Sequence, residues 1–317
     1  MRIASLVPSV TDTLLQLDAG GELVAVTNEC RIPTDLNPRI VTLDPFGNTE
    51  YSPKEIAIYL RMLGHAAQEG VFAVDQDALV ETNPDVVFMQ GTCELCAPGA
   101  SVEGSAVFDG LPSTTKVISF APHSLGEVLS EIRRIGNAVG HAPEAESLIG
   151  DLRRRMMATM RQAAVAARGR RPRVALLEWV DPPIAGGMWL PELIEAAGGT
   201  PVVGTRQAPA VQTPWQDIVD AQPDVLIFAL TAFDLNDTLG ELPLLRKRDG
   251  WSDLPAVRAG EVYLVDGRNT LHRASPGIID GLELLAAVLH PESFDREPFD
   301  GLILKATVEQ TAQITVS

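Results

Sequence analysis

The sequence predicts an α/β fold of two lobes with parallel-type sheets flanked by helices, joined by a single long backbone helix. Short apolar runs alternate with helical patterns along most of the chain, which is typical of parallel sheets covered by helices. The segment Asn-Pro-Asp-Val-Val-Phe at 83–88 recurs as Gln-Pro-Asp-Val-Leu-Ile-Phe at 222–228, and this repeat favours two related lobes. Between them, residues 143–168 predict a helix of about 26 residues, roughly 39 Å long at 1.5 Å per residue.

These patterns divide the chain into four segments. The N-terminal α/β lobe covers residues 1–122 and the C-terminal α/β lobe covers residues 169–290. Residues 123–168 form the connecting helices, including the long inter-lobe helix. The alternation of strands and helices stops at Pro291, so residues 291–317 are expected to be an appended tail.

In the first lobe, strands are predicted at 2–8, 23–27, 39–43, 84–89 and 116–120. Ser9 is predicted to cap the first helix, and Ser-Pro-Lys-Glu at 52–55 is a capping box for a helix that ends near Leu63.

Two consecutive helices are predicted in the connecting segment. Ser-Leu-Gly-Glu at 124–127 is a capping box, and apolar residues then recur at helical spacing until Gly140, which can end a helix in the left-handed conformation. Pro143 suits the first turn of the long helix. Its predicted apolar stripe consists of Leu148, Ile149, Leu152, Met156 and Met160.

The second lobe repeats the plan of the first. Strands are predicted at 173–179, 223–228 and 262–265. Helices are predicted at 190–197 and 213–221, and a last helix, capped by Ser275-Pro276, runs to about Leu289.

Composition limits the possible functions. The formal charge of −17 argues against binding of nucleic acid or an anionic membrane, and no apolar run approaches the ~20 residues that span a bilayer. The first residues lead straight into an apolar strand without an export signal. The sequence as given is therefore expected to be cytoplasmic, or periplasmic or cell-surface if it has been trimmed.

Candidate ligand-binding residues follow the predicted strands, because ligands of parallel α/β sheets bind at the carboxyl ends of the strands. Several aromatic residues and a few polar ones meet there, as in many small-molecule pockets. Trp179 and Trp189 are either pocket walls or core residues, and Arg273 could hold an anion. We find no nucleophile–base–orienter set and no phosphate-binding glycine loop, so no enzyme is predicted. The candidates are Phe46, Gln90, His123, Trp179, Trp189 and Arg273.

The three cysteines form a second group of candidates. Cys30 and the Cys93-x-x-Cys96 pair follow strands of the same lobe, so they are expected to converge. They are candidate ligands of a metal, whose identity the sequence leaves unknown, or a redox pair. The alternative is that they are small buried hydrophobic residues.

Several segments resemble class III periplasmic substrate-binding proteins, the family that includes binding proteins for vitamin B12, haem and ferric siderophores. The resemblance rests on 2–12 and 23–27, and on the motifs Asn-Pro-Asp at 83–85, Glu-Ala-Ala-Gly-Gly at 195–199 and Arg-Ala-Ser-Pro at 273–276. Within the family, the chain is most similar to predicted cobalamin-binding proteins. It shares with them Asn-Glu-Cys at 28–30, Cys-Glu-Leu-Cys at 93–96 and Trp-x-Pro-Glu at 189–192.

The resemblance implies a non-catalytic protein that holds a cobalamin-like corrinoid in a cleft between two lobes. By position, Phe46, Gln90, Trp179, Trp189 and Arg273 would face that cleft. The alternatives are another metal chelate, either haem or a ferric siderophore, and a cysteine-based metal or redox protein on the same fold.

The resemblance also implies an ABC permease as a partner, contacted through one carboxylate on each lobe. Asp77 matches one of these positions, whereas Gln216 at the other has lost the charge. Together with the absence of an export signal, this favours a cytosolic protein that holds, buffers or delivers its ligand.

Overall fold

The computed structural model describes residues 1–42, 74–91, 108–231, 233–268 and 270–306. The chain falls into two compact units. The first comprises Met1–Pro122, Gly126–Asp151 and Ala274–Pro276, and the second comprises His123–Leu125, Leu152–Arg273 and Gly277–Ser317. Within the described residues, no helix has both the length and the apolar character needed to cross a membrane. Phe46, Cys93 and Cys96 lie outside the described residues, as does the helix predicted after residue 52.

The first unit contains a parallel five-stranded sheet, in the order β3-β2-β1-β4-β5. Its central strands β1 and β4 are buried on both faces, apart from half-buried Gln90 at the end of β4, which is typical of parallel strands covered by helices. This confirms the predicted α/β class for the first half. The strands are β1 (Ile3–Ser5), β2 (Leu23–Val26), β3 (Arg39–Ile40), β4 (Val86–Gln90) and β5 (Lys116–Phe120).

The first helix, α1 (Pro8–Gln16), begins two residues earlier than a cap at Ser9 predicts. Proline occupies its first turn, where the missing N–H costs nothing. Val7 stands at the N-cap position and no side chain caps the helix, so the prediction that Ser9 is the cap is wrong. Ser9 is instead buried inside the first turn. A short helix, α2 (Gln76–Glu81), precedes β4, and the Asp75 side chain caps it.

Two long helices follow β5, as predicted: α3 (Leu125–Val139) and α4 (Ala142–Ala166). The 25 residues of α4 confirm the long helix, whose residues 142–151 belong to the first unit and the remainder to the second. The predicted stripe is wrong at Met160, which is 38% exposed. Thr159 and Ala163 are buried in its place, because 3.6 residues per turn carries the buried stripe there from Leu152.

The second unit contains a mixed sheet, in the order β12-β11-β10-β6-β7-β9, with β8 paired to β6. Strands β6, β8, β10 and β11 are parallel, whereas β7, β9 and β12 run antiparallel to their neighbours. The strands are β6 (Arg173–Val180), β7 (Pro183–Ala185), β8 (Thr200–Pro201), β9 (Val211–Gln212), β10 (Val225–Phe228), β11 (Val262–Val265) and β12 (Ile303–Lys305).

The described part of the tail belongs to this sheet, so its prediction as an appendage is wrong up to residue 306. Strand β12 pairs with β11, with Lys305 opposite Tyr263. The Tyr263 ring has the charged ends of Arg296 and Lys305 each 5.3 Å from its centre. Its hydroxyl donates to Glu261 Oε2 at 2.7 Å. These contacts attach the tail to the edge of the sheet.

Among the described residues, five α-helices lie wholly within the second unit. Helix α7 (Leu235–Arg246) was not predicted, although Asp234 caps it and forms a capping box with Asp237. The last helix, α9, begins after Gly277, so Ser275 is not its cap; Ser275 is buried upstream of the helix. The helices are α5 (Leu190–Ala196), α6 (Trp215–Asp220), α7 (Leu235–Arg246), α8 (Pro255–Arg258) and α9 (Ile278–Leu289).

The internal repeat seen in the sequence is also present in the hydrogen bonds. The Asp85 carboxylate accepts the Arg2 backbone N–H at 2.7 Å, and the Asp224 carboxylate accepts the Arg173 N–H at 3.0 Å. The Arg2 guanidinium donates to the Thr82 carbonyl at 2.5 Å, and the Arg173 guanidinium donates to the Ala221 carbonyl at 2.7 Å. These carbonyls lie directly after α2 and α6, respectively. Asn83 and Gln222, the residues before the proline of each Pro-Asp turn, have left-handed φ values of 46° and 43°. The two halves therefore start their central strands in the same way.

Candidate functional site

Trp179 lies near the carboxyl end of β6, where its ring is half-buried. It packs edge-on against Phe233, with ring centroids 5.5 Å apart and planes inclined by 60°. Phe233 follows β10 and is itself buried. A buried aromatic residue therefore packs against the Trp179 ring, in a geometry that aromatic pairs prefer.

Trp189 is also half-buried and directly precedes α5. Its indole N–H donates to the Leu271 carbonyl at 2.8 Å, and Leu271 lies, fully buried, in the loop after β11. This bond satisfies the polar atom of the indole and fixes the orientation of the ring.

A backbone clamp holds the loop that carries Trp189. The Met188 N–H donates to the Ala208 carbonyl at 2.7 Å, and the Gln207 N–H donates to the Met188 carbonyl at 2.9 Å. Met188 has a left-handed φ of 51°, a conformation that is rare for a long side chain. The Glu178 carboxylate accepts the Gly187 N–H at 2.9 Å, which ties the same loop to β6.

The loop after β11 is tied to the end of β10. His272 Nε2 lies 2.6 Å from the Ala229 carbonyl oxygen. A β-carbon at Gly267 would lie 2.2 Å from the Leu230 carbonyl oxygen, so the two backbones approach too closely for any other residue. Half-buried Arg273 donates through Nε to the Arg268 carbonyl at 3.3 Å. The end of β6 that carries Trp179 and the loops that carry Trp189 and Arg273 are thus connected within the second unit.

Glu192, in the first turn of α5, makes contacts close to Trp189 that the sequence does not predict. Its side chain is only 11% exposed. One carboxylate oxygen accepts the Leu125 N–H at 2.9 Å, and the other accepts from Gln207 at 3.0 Å. The carboxylate thus meets the first N–H of α3, where the helix dipole favours negative charge. Its position three residues after Trp189 makes it a support for that loop.

We expect Glu192→Ala to lower the free energy of unfolding by about 1.5–3 kcal/mol, because it removes the charged acceptor of the part-buried Leu125 N–H at the start of α3 and of the Gln207 amide. Urea unfolding measures this loss. The control is Asp253→Ala, which removes an exposed partner of Arg258 and should cost about 0–1 kcal/mol. Equal losses in the two variants would contradict a special role for Glu192.

Cys30 lies in the first unit at the carboxyl ends of β1 and β2. Its sulfur is 3.0 Å from Thr11 Oγ1 and 3.2 Å from Thr27 Oγ1. Burial raises the pKa of the Cys30 thiol. Among the described residues, no group of three or more His, Cys, Asp or Glu side chains could hold a metal ion. A metal site with Cys93 and Cys96 stays a prediction, since both lie outside the described residues.

A raised pKa means that Cys30 is less ionised than an ordinary thiol at about pH 8 and becomes thiolate only at higher pH. We expect iodoacetamide to modify Cys30 several-fold more slowly than a model thiol near pH 8, with the rate still rising above about pH 9. Peptide mass mapping measures this rate separately from those of Cys93 and Cys96. Fast modification that levels off near neutral pH would contradict the expectation.

The structure gives the local position of each remaining candidate. Gln90 ends β4 in the first unit and is half-buried, and His123 follows β5 and is half-buried. Of the two positions compared with permease-binding carboxylates, Asp77 lies in the first turn of α2. Gln216 lies at the start of α6 and donates to Asp220 at 2.8 Å. The roles of all these residues stay predictions.

Residues 3–268 match a family model described as periplasmic binding protein. A relative from Bacillus subtilis (strain 168), the uncharacterized ABC transporter substrate-binding lipoprotein YvrC, is 24% identical over 301 residues, which cover 92% of this chain and 81% of the relative.

Two solved structures share the fold. A periplasmic heme binding protein from Pseudomonas aeruginosa matches with a TM-score of 0.65 at 16% identity, covering 92% of this chain and 93% of the other. The periplasmic vitamin B12 binding protein BtuF of Vibrio cholerae matches with a TM-score of 0.59 at 17% identity, covering 91% and 96%. Because the family model spans most of the sequence, this chain belongs to the periplasmic binding protein family and is a binding protein, not an enzyme.

Proposed function

We propose that this chain is the substrate-binding protein of an ABC transporter and that its ligand is a cobalamin-like corrinoid. The family and the relative described as an ABC transporter substrate-binding lipoprotein support the transport role over a cytosolic one. The observation that carries the ligand proposal is the pair of half-buried indoles near the carboxyl ends of the parallel strands of the second sheet. Trp179 is supported by Phe233 and Trp189 is fixed by Leu271.

A corrinoid is a broad ring with amide arms along its edge, so its binder needs flat apolar surfaces and scattered polar groups. Indoles provide large contact areas with only two side-chain torsions, so little conformational entropy is lost on binding. Arg273, on a connected loop, can donate to amide oxygens. Gln90 of the first unit is proposed as a further hydrogen-bonding group.

Haem is the second candidate, since a heme binding protein shares the fold. Haem iron is usually held by a His, Cys, Met or Tyr side chain. In the described part of the loops that follow β6, β10 and β11, His272 is the single imidazole, and its Nε2 is engaged with Ala229. Tyr263 is fully buried within β11. Half-buried Met188 and His123 also belong to this unit and could ligate haem iron, so haem stays the second candidate. Cobalamin carries its own axial base and needs no such ligand from the protein, so it is proposed first.

Titration of the unliganded protein with cyanocobalamin, haemin and a ferric siderophore, followed by absorbance, tests the proposal. We expect saturable binding of cobalamin at one equivalent, and at least about ten-fold weaker binding of the other two. Tighter binding of haemin or the siderophore would show that this chelate, and not cobalamin, is the ligand; the transport role would stand. Stoichiometric metal and sulfide in the purified protein, without binding of any chelate, would support the cysteine-based alternative.

A further inference from the structure

The positive charge of this acidic chain is concentrated in one segment. Residues 152–177 contain eight arginines and no acidic residue, although the whole chain carries a formal charge of −17. The segment covers the second part of α4, the turn that follows and most of β6, all within the second unit. The net charge that argues against anionic partners therefore does not describe this surface.

The outward side of α4 combines arginines with exposed apolar side chains. Successive helical residues are about 100° apart, so Arg153, Arg154, Met157, Arg161 and Val165 fall within an arc of roughly 120°. We call these five residues the basic face. The buried residues Leu152, Thr159 and Ala163 lie on the opposite side of the helix.

The apolar members of the basic face are unusually accessible. Val165 is 77% exposed and Met157 is 46% exposed, and both lie among arginines that are exposed as well. Beyond the helix, Arg168, Arg170 and Arg171 extend the positive charge. The acidic residues Asp280 and Glu283 pair with Arg155, which lies outside the basic face.

We propose that the basic face binds the surface of an anionic lipid bilayer. Arginine stems extend along apolar surface while their guanidinium groups reach the lipid phosphates, and this arrangement lets Met157 and Val165 enter the boundary between headgroups and acyl chains. A bilayer is a fluid surface, so it can accept the side chains of the basic face without a preformed groove of matching shape. An acidic protein partner would require a shaped complement for the exposed valine and methionine, so the mixture of apolar and basic residues favours lipid.

Flotation of the full chain with vesicles tests this surface. We expect binding to vesicles of phosphatidylglycerol and phosphatidylcholine, and none to phosphatidylcholine alone. Binding should be strong near 0.05 M salt and largely lost near 1 M, where the screening length falls to about 3 Å. Each arginine near an anionic surface contributes about five-fold in affinity, so replacing four of them should weaken binding by at least about 100-fold. The test variant replaces Arg153, Arg154, Arg161 and Arg168 with Gln.

A matched control removes four positive charges elsewhere on the surface. This control variant should bind vesicles nearly as well as the wild-type protein, which would exclude an effect of total charge. Its changes are Arg39→Gln, Arg133→Gln, Lys247→Gln and Arg258→Gln. Cobalamin titration of both variants should be unchanged, and this separates the membrane proposal from the proposed ligand.

Insertion of the apolar residues is tested by Val165→Trp, whose added fluorescence should shift to shorter wavelength on anionic vesicles. The proposal is overturned if the wild-type protein does not float with anionic vesicles, or if the four-arginine variant and its control bind alike. Capture by polyglutamate without vesicle binding would instead assign the basic face to an acidic protein.

Discussion

Replacing Trp179 or Trp189 with alanine is expected to weaken cobalamin binding by about 30- to 1,000-fold each, while the fold survives. Truncating a central aromatic contact costs roughly 2–4 kcal/mol, and each 1.4 kcal/mol is about ten-fold in affinity. Both rings are half-buried: Trp179 packs against Phe233, and Trp189 donates to the Leu271 carbonyl. Removal of either ring therefore deletes a preformed contact surface with little effect on the core.

The control for this experiment is Phe294→Ala, which removes another half-buried aromatic residue. Phe294 lies beyond the end of α9 against His290, near the amino end of β6. It should leave cobalamin affinity unchanged. Trp179→Phe should recover most of the affinity lost in Trp179→Ala, because a flat ring remains. Unchanged binding in both folded tryptophan variants would remove these residues from the site.

The regular elements of the fold follow from local sequence. Apolar runs such as 225–228 are buried on both faces and begin at a Pro-Asp turn, and the same turn opens β4. Helix α3 buries the residues predicted from its spacing, among them Val128, Ile132 and Ile135. The long helix was predictable because its period of 3.6 residues persists over 25 residues.

The missed elements are those whose stability comes from distant partners. Strands β7 and β9 are three and two residues long, so they carry too few residues for a period-two pattern. They exist because they pair with each other and β7 pairs with β6. The tail strand β12 depends likewise on β11 and on the contacts of Arg296 with Tyr263. No local signal marks such pairings.

The candidate site shows the same division. Trp179 was predicted because it ends a predicted strand, and Trp189 because it directly precedes a predicted helix. Their contacts with Phe233 and Leu271 were not predicted, because 54 and 82 residues separate these partners from the indoles. Glu192 was recognised only as part of a motif. Its role as acceptor for the first N–H of α3 depends on a contact across 67 residues.

Gly187→Ala is expected to lower the free energy of unfolding by at least about 3 kcal/mol and to abolish cobalamin binding. An added β-carbon would lie 2.4 Å from the Ala210 nitrogen, 2.6 Å from the Ala208 oxygen and 2.7 Å from the Pro209 carbonyl carbon. All three are backbone atoms, so no side-chain rotation relieves the clash. The loop must separate from residues 207–210, breaking the hydrogen bonds of Met188 and displacing Trp189.

Gly240→Ala is the matched control, because a β-carbon there meets nothing within 4 Å and the residue lies inside α7. In a helix interior, alanine is favoured over glycine by roughly 0.5–1 kcal/mol, so this variant should be slightly more stable than the wild-type protein. Thermal unfolding and cobalamin titration of both variants measure the difference. If Gly187→Ala is as stable as Gly240→Ala and binds cobalamin normally, the tight contact between the two loops does not support the Trp189 side of the site.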